Sequence, residues 1–409
     1  MDDRAPGVAP LYDTSSLSPR EQERAAQMRD LYGFAFPAEL LQFWRWHQGL
    51  SQAQQDAFGR TLGLAPVGPF DVLAGKFDGV ELAYPAVLNW RFAGDPPEFV
   101  TVFLGEDGRR VGLWFDDHRR LSPVVASYYR DDREITVCGD TLFGATRQWM
   151  AWCDEGLVEV MEDDPGEKDE YAARRAALAD LLACLPPSEK RAARPRAHET
   201  GDGIGVAPAA VGGDAATAAL VRGRRLWTEN PREAGPLLGE AYRLADRPFL
   251  ARIVSTYMQH PDLPRVTVYD IAPGSYFSLA DAMANPARVR ILGLGNAGLK
   301  TLPDLSALTG LAELTLHGNQ LTDLPASLLA CKGLKRINLF RNPLARVPEV
   351  LYQLPALEQV CLTGPTAKSP FSAKIGTLPT KPTQAIVSDA MPAFDDFMGR
   401  IEIARDARI

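Results

Sequence analysis

The clearest sequence pattern in this chain runs from Val289 to Leu362. It reads VRILGLGNAGLKTLPDLSALTGLAELTLHGNQLTDLPASLLACKGLKRINLFRNPLARVPEVLYQLPALEQVCL. Aligned at Val289, Leu311, Leu334 and Leu357, it repeats itself every 22 or 23 residues. Apolar and polar residues alternate at the start of each unit, which is the period of a β-strand. Strands this short are not stable alone, so the repeat predicts that each pairs with the strand of the next unit.

After its strand, each unit makes a turn and continues into a return arm. Asn319 and Asn342 follow the strands, where an inward amide can bond backbone groups that the turn leaves unpaired. Pro325 and Pro348 begin the return arms, where a missing N–H breaks no ladder bond. The pattern resembles the leucine-rich repeat, and the resemblance implies an α/β solenoid over residues 266–365 whose first unit is a degenerate cap. Leu316 and Leu339 are expected to be buried in its core.

The residues between the core positions are expected to face outward on the concave side of the solenoid. Arg and aromatic side chains on such a surface are typical interface anchors, and the predicted contact set is His317, Arg336, Asn338, Phe340 and Arg341. This set predicts a protein partner with an acidic contact face. In the alternative interpretation, Phe340 docks on the cap helices or on the C-terminal tail.

The first third of the chain has a different sequence pattern, with helical stretches and β-rich runs in place of repeats. Two helical stretches, PREQERAAQMRDLYG and FPAELLQFWRWHQGL, precede short β-rich runs, and TLFGATRQWMAWCDEGLVEVM reads as a closing helix. Asp107-Gly108 between two of the runs predicts a hairpin turn. The order predicts an α+β domain over residues 19–162.

The same stretches carry a second resemblance. LYGFAFPAELLQFWRWHQG is similar to the entry motif of the SUKH superfamily, and PPEFVTVFLGEDGRRVGLWFDD follows the order of that family's sheet. The resemblance implies a binding fold rather than an enzyme. Many bacterial members are immunity proteins that bind and neutralise toxins, and others are regulatory scaffolds.

A second, weaker contact surface is predicted in this domain. Trp90, Glu98 and Trp114 could line a groove, although a half-buried sheet face explains them equally well. Asp116 and Asp117 follow a strand, where acidic residues are typical of a turn and could also meet a basic partner.

The remaining segments connect or cap these two domains. Opposed charge blocks and a Gly/Ala-rich run predict a linker over residues 163–214. The other predicted segments are a mobile N-terminus at 1–18, a helical cap at 215–265 and a C-terminal tail at 366–409.

Composition and motifs favour binding over catalysis. Gly293, Gly295 and Gly298 spell G-x-G-x-x-G, but Pro303 prevents the helix that a dinucleotide site needs. We expect no cofactor and no metal site. The net charge of −8 argues against nucleic acid and acidic membrane surfaces as partners. The five scattered cysteines favour a reducing cytoplasm.

The resulting hypothesis is a non-catalytic, cytoplasmic protein-binding protein of the bacterial immunity type that neutralises a toxin. One alternative is a general signalling or assembly scaffold. Another is an enzyme, or an enzyme subunit, whose N-terminal domain binds a nucleotide or a modified substrate.

Overall fold

The computed structural model describes residues 17–33, 36–92, 94–105, 109–115, 123–129, 135–163, 168–187, 215–266, 268, 270–363 and 384–388. The chain divides into two compact units, each made of separate pieces. The first comprises residues 1–78, 96–226 and 233–255, and the second comprises residues 79–95, 227–232 and 256–409. The predicted continuous domain at 19–162 is therefore interrupted, because residues 79–95 belong to the second unit.

The first unit opens with four helices. They are α1 (Pro19–Tyr32), α2 (Ala38–Gln48), α3 (Gln52–Leu62) and α4 (Pro69–Leu73). Ser18 caps α1 and Ser51 caps α3, each in a reciprocal capping box with the residue three positions on. Pro37 is the N-cap residue just before α2.

An antiparallel sheet follows these helices. Its strands are β1 (Leu64–Pro66), β2 (Phe99–Gly105), β3 (Arg109–Trp114), β4 (Val124–Tyr129) and β5 (Thr136–Gly139), in that spatial order. All residues of β2 are buried, so both faces of the central sheet are covered. Strands β2 and β3 pair antiparallel as predicted, while the Asp107-Gly108 turn lies outside the described residues.

Five further helices follow this sheet along the chain. They are α5 (Leu142–Asp163), α6 (Lys168–Cys184), α7 (Ala215–Leu226), α8 (Pro231–Leu244) and α9 (Pro248–Gln259). Helix α6 packs in the first unit: Leu181 is fully buried, and Trp46 Nε1 donates to the Cys184 carbonyl at 3.0 Å. The predicted linker at 163–214 therefore contains a packed helix, and its residues 188–214 lie outside the described ranges.

The helices predicted as a cap for the repeats belong largely elsewhere. Residues 215–226 and 233–255 are part of the first unit. Phe249 of α9 packs edge-on against Phe115 at 5.1 Å between ring centroids. The helices themselves form as predicted, but they complete the core of the first unit.

The second unit contains a parallel sheet. Its strands, in spatial order, are β6 (Ser275–Tyr276), β7 (Ile291–Gly293), β8 (Glu313–Thr315), β9 (Arg336–Asn338), β10 (Gln359–Thr363) and β11 (Gln384–Ser388). Helix α10 (Leu279–Ala284) follows β6, and short 3-10 turns at Ala326–Ala330 and Glu349–Gln353 form return arms. Strand β11 lies in the predicted tail, whose remaining residues 366–383 and 389–409 are outside the described ranges, as are residues 1–16 of the predicted mobile N-terminus.

The register of this sheet places the same position of each repeat side by side. Leu292 pairs with Leu314, Leu314 with Ile337, and Ile337 with Val360. Leu316 and Leu339 are both fully buried, which confirms their predicted place in the core.

The turn asparagines also have the predicted role. The Asn319 amide donates to the carbonyls of Leu294 and Leu316, each at 2.8 Å, and its oxygen accepts from the Leu299 N–H at 3.0 Å. One side chain thereby satisfies backbone groups of two neighbouring repeats, which fixes their spacing.

None of the helices in the described part of the chain is both long and apolar enough to cross a bilayer. All five cysteines are free thiols.

Candidate functional site

Most of the predicted concave contact set is buried. His317, Asn338 and Phe340 are 1%, 5% and 1% exposed, respectively. The prediction that these three side chains are exposed is wrong. Alternation assigns a side chain to a face of the sheet, and whether that face meets water depends on what packs over it.

The two arginines of that set are engaged within the second unit. Arg336 forms an ion pair with Glu313 on the neighbouring strand, and the Arg341 guanidinium lies over the Phe340 ring, 5.5 Å from its centroid. Arg341 has a positive φ of 53°, so it turns out of the strand. The predicted open positive patch is therefore replaced by paired cations and a buried ring.

The glycine motif of the first repeat is explained by packing. A Cβ on Gly293 would overlap the Phe277 ring, and one on Gly295 would overlap the His317 imidazole. Asn296 Nδ2 lies 3.1 Å from His317 Nε2 and holds that ring in place. These two glycines make room for rings on the sheet face.

The residues of the weaker N-terminal contact set are divided between the two units. Trp90 belongs to the second unit, and Glu98 and Trp114 belong to the first. All three are buried, at 9%, 1% and 4% exposure. Trp114 packs with Phe99 and Tyr128 in the core of the sheet, the alternative that the sequence left open. Asp116 and Asp117 lie outside the described residues.

Glu98 instead belongs to a sealed polar cluster in the first unit. Its Oε2 lies 3.2 Å from Arg224 Nη1 of α7, and its Oε1 accepts from the Tyr242 hydroxyl of α8. These side chains are at most 1% exposed. The carboxylate is shielded from solvent, and it offsets the charge of the buried guanidinium.

A second polar cluster, in the second unit, is accessible. Asp281 Oδ2 accepts from the Tyr84 hydroxyl at 2.9 Å and lies 3.0 Å from His260 Nδ1. The side chains of His260 and Asp281 are 20% and 30% exposed. We call these residues the Tyr84–His260–Asp281 cluster. Sequence reasoning missed it, because Tyr84 is 197 positions from Asp281 and no local motif contains either.

The geometry of this cluster fixes the imidazole. A carboxylate on Nδ1 sets the tautomer and leaves Nε2 at the opposite edge of the ring. The Tyr84 hydroxyl also accepts from the Phe277 N–H at 3.2 Å, and burial raises the pKa of that phenol. Tyr84 therefore stays a neutral donor that anchors Asp281. In the described part of the chain, no three His, Cys, Asp or Glu side chains come together as a metal site.

Comparison with known proteins finds the same family of relatives for the N-terminal part of the chain. The family model for histone PARylation factor 1 matches residues 23–183. Histone PARylation factor 1 of Danio rerio is 34% identical over 128 residues, which are 30% of this chain and 37% of that protein. The Bos taurus protein is 32% identical over 125 residues, 29% of this chain and 36% of its own length. The Mus musculus protein is 29% identical over 130 residues, 30% of this chain and 38% of its own.

These matches correct the family prediction. The prediction of a SUKH domain followed by leucine-rich repeats is wrong, and with it the prediction of a bacterial immunity protein that neutralises a toxin. The SUKH resemblance rested on an aromatic helix and a strand order that unrelated α+β domains share. The matched part covers little more than a third of each relative's length. Over residues 23–183, this chain is similar to histone PARylation factor 1.

Proposed function

We propose that this chain is a factor in protein PARylation, the attachment of poly(ADP-ribose) to a target protein, and that residues 23–183 carry this role. The observation behind the proposal is the match of that segment to a family described as histone PARylation factor 1. The name belongs to the relatives, and we extend it to this chain as a proposal.

The structure of the matched segment supports a shared role. It contains strands β1 to β5 and helices α2 to α5 in full, with most of α1 and all of α6 except its last residue. Phe43 of α2 packs against Phe58, Phe70, Phe103 and Phe143 with ring centroids 5.4 to 6.3 Å apart, so one aromatic core joins helices to the sheet. A match that spans a packed core of this kind favours a shared fold over a coincidental motif.

The description of the relatives as a factor favours an accessory role over turnover. In the first unit, the buried Glu98 carboxylate is paired with Arg224 and Tyr242. We propose that a factor of this kind acts by binding other proteins. The predicted partner therefore remains a protein. We keep the cytoplasm as the proposed location of the chain.

We also propose that the second unit is a short solenoid that supports this role as an interaction module. The parallel register, with equivalent repeat positions paired across β7 to β10, supports the proposal. Repeats of this kind stack by nearest-neighbour contacts and build extended binding surfaces.

The test is a reconstituted modification assay. A poly(ADP-ribose) polymerase, histone octamers and NAD are incubated with and without the full chain, and labelled polymer on the histones is measured after electrophoresis. We expect the chain to increase histone labelling in a concentration-dependent way. No change over a wide concentration range, with a chain shown to be folded, would contradict the proposal.

Variants of exposed residues test whether the stimulating activity lies in the matched segment. Exposed apolar side chains inside the matched segment include Val137, Trp152 and Leu182, at 48%, 43% and 40% exposure. Replacing each by Ala should reduce the stimulation in at least one case. Leu244→Ala, at 55% exposure and outside the match, is the control that should retain full stimulation.

A further inference from the structure

A cleft beside α7 is a feature that the matched segment does not include. It has a volume of about 690 Å³ and lies between α7 and the start of α8, with all of its lining residues in the first unit. This volume is within the range of small-molecule sites, roughly 300–1,000 Å³.

The helical period of α7 explains why its outer face lines the cleft. Leu220 and Arg224 are buried on the inner face, and Ala218, Val221, Arg222 and Arg225 follow at helical spacing on the other. Gly223 brings the two helices together, because a Cβ there would lie 2.7 Å from Leu238 Cγ. The spacing between α7 and α8 is therefore set by close packing at Gly223.

The charges of the cleft favour an anion. Arg222 and Arg225 are three positions apart on one helix, so their side chains are neighbours. Two adjacent guanidinium groups can each bind one phosphate of a diphosphate through paired N–H donors. Ala218, Val221 and Leu226 give an apolar floor beside them, and Thr217 adds a hydroxyl.

Glu233 of α8 also lines the cleft. Its Oε1 lies 3.0 Å from Arg222 Nη2, and the two side chains are 45% and 66% exposed. Exposed ion pairs of this kind contribute little and are readily exchanged. The Glu233 carboxylate thus occupies a place that a phosphate oxygen would take.

We propose that this cleft binds the diphosphate of an ADP-ribose unit, with the guanidinium groups of Arg222 and Arg225 on the phosphates and the purine against the apolar floor. The choice of ADP-ribose rests on the proposed function. The diphosphate chemistry rests on the cleft alone.

The test is titration calorimetry of the full chain with ADP-ribose, with inorganic pyrophosphate and with purified poly(ADP-ribose). We expect ADP-ribose to bind more tightly than pyrophosphate, because only the former has a purine for the floor. We expect the polymer to bind at least as tightly as ADP-ribose. Absence of ADP-ribose binding at millimolar concentration would overturn the proposal, and so would a polymer that does not bind.

Variants make the test specific to the cleft. Arg222→Gln with Arg225→Gln should weaken ADP-ribose binding by about tenfold or more, the effect of losing charge-assisted hydrogen bonds. Glu233→Gln removes the competing carboxylate and should strengthen binding. Arg243→Gln is the control, because Arg243 is also on α8, is 66% exposed and pairs with Glu240 at 2.6 Å. Equal affinity in the double variant and the control would overturn the assignment.

An acidic peptide is the competing occupant. If a Glu-rich peptide displaces ADP-ribose and binds more tightly, the cleft is a protein contact and the proposal is wrong. These titrations contain no polymerase and no histone. ADP-ribose binding can therefore succeed or fail independently of the modification assay.

Discussion

Glu98 and Arg224 form an ion pair inside the first unit, with 3.2 Å between Oε2 and Nη1 and 1% exposure of each side chain. Tyr242 donates a hydroxyl hydrogen bond to the same carboxylate. Removing two charges from water is costly, and the mutual attraction offsets that cost only while both partners are present. The pair links the start of β2 to α7 and α8.

Breaking this pair from either side should therefore strongly destabilise the fold. Arg224→Met or Glu98→Gln should each lower the free energy of unfolding by about 3–5 kcal/mol, and the double variant by less than the sum. Urea denaturation followed by circular dichroism measures the change. Arg222→Met is the matched control, because its pair with Glu233 is exposed and should contribute less than about 1 kcal/mol. Equal losses for Arg224→Met and Arg222→Met would show that the buried pair is not structurally important.

Truncating a core leucine of the parallel sheet should destabilise the second unit. Leu339 is fully buried, and Leu339→Ala should cost about 2–5 kcal/mol because a cavity remains. In a short stack the loss should spread to neighbouring strands, which amide hydrogen exchange of residues 313–316 and 359–362 would detect. Leu244→Ala removes a side chain that is 55% exposed and should change stability by less than about 0.5 kcal/mol. A similarly small effect at Leu339 would contradict the packed core.

The stability of the first unit should depend on pH through His47. Burial lowers the pKa of His47 to about 4, and its ring packs edge-on against Phe58 at 5.2 Å. The unfolded chain takes up this proton at about pH 6.5, before the folded chain does, so stability falls as pH decreases from about 6.5 to 4. The loss is on the order of 2–3 kcal/mol.

His47→Leu should abolish this part of the pH dependence, measured as the free energy of unfolding at pH 7.5, 5.5 and 4.5. Below that window both proteins should lose further stability. The pKa of Glu21 is lowered to about 2 by its bond to Arg45, and that of Asp78 to about 2 by its bond to Arg24. Folded carboxylates with lowered pKa values stabilise above about pH 4 and lose that contribution as pH falls toward 2. Parallel pH curves for the variant and the original chain between pH 7.5 and 4.5 would contradict the role of His47.

Patterns that act over a few residues were readable from the sequence. The 22- and 23-residue spacing predicted parallel strands with equivalent leucines side by side, and the register of β7, β8 and β9 has them so. Alternation and helical period are set by backbone geometry, which every residue obeys wherever the chain packs. The role of Asn319 followed in the same way, because a turn leaves backbone groups that a nearby amide can reach.

Contacts between distant residues were decided by the tertiary structure alone. Glu98 meets Arg224 and Tyr242 across 126 and 144 positions, and no periodicity relates them. Residues 79–95 belong to the second unit, where Asn89 Oδ1 accepts from the Ile271 N–H at 3.1 Å.

The exposure of Phe340 was of the same kind. Alternation predicted an exposed ring, but Phe340 follows strand β9 in a turn and is 1% exposed. Burial is a property of what surrounds a side chain. It is therefore settled only when segments far apart in the sequence come together, and the same holds for the Tyr84–His260–Asp281 cluster and for the cleft beside α7.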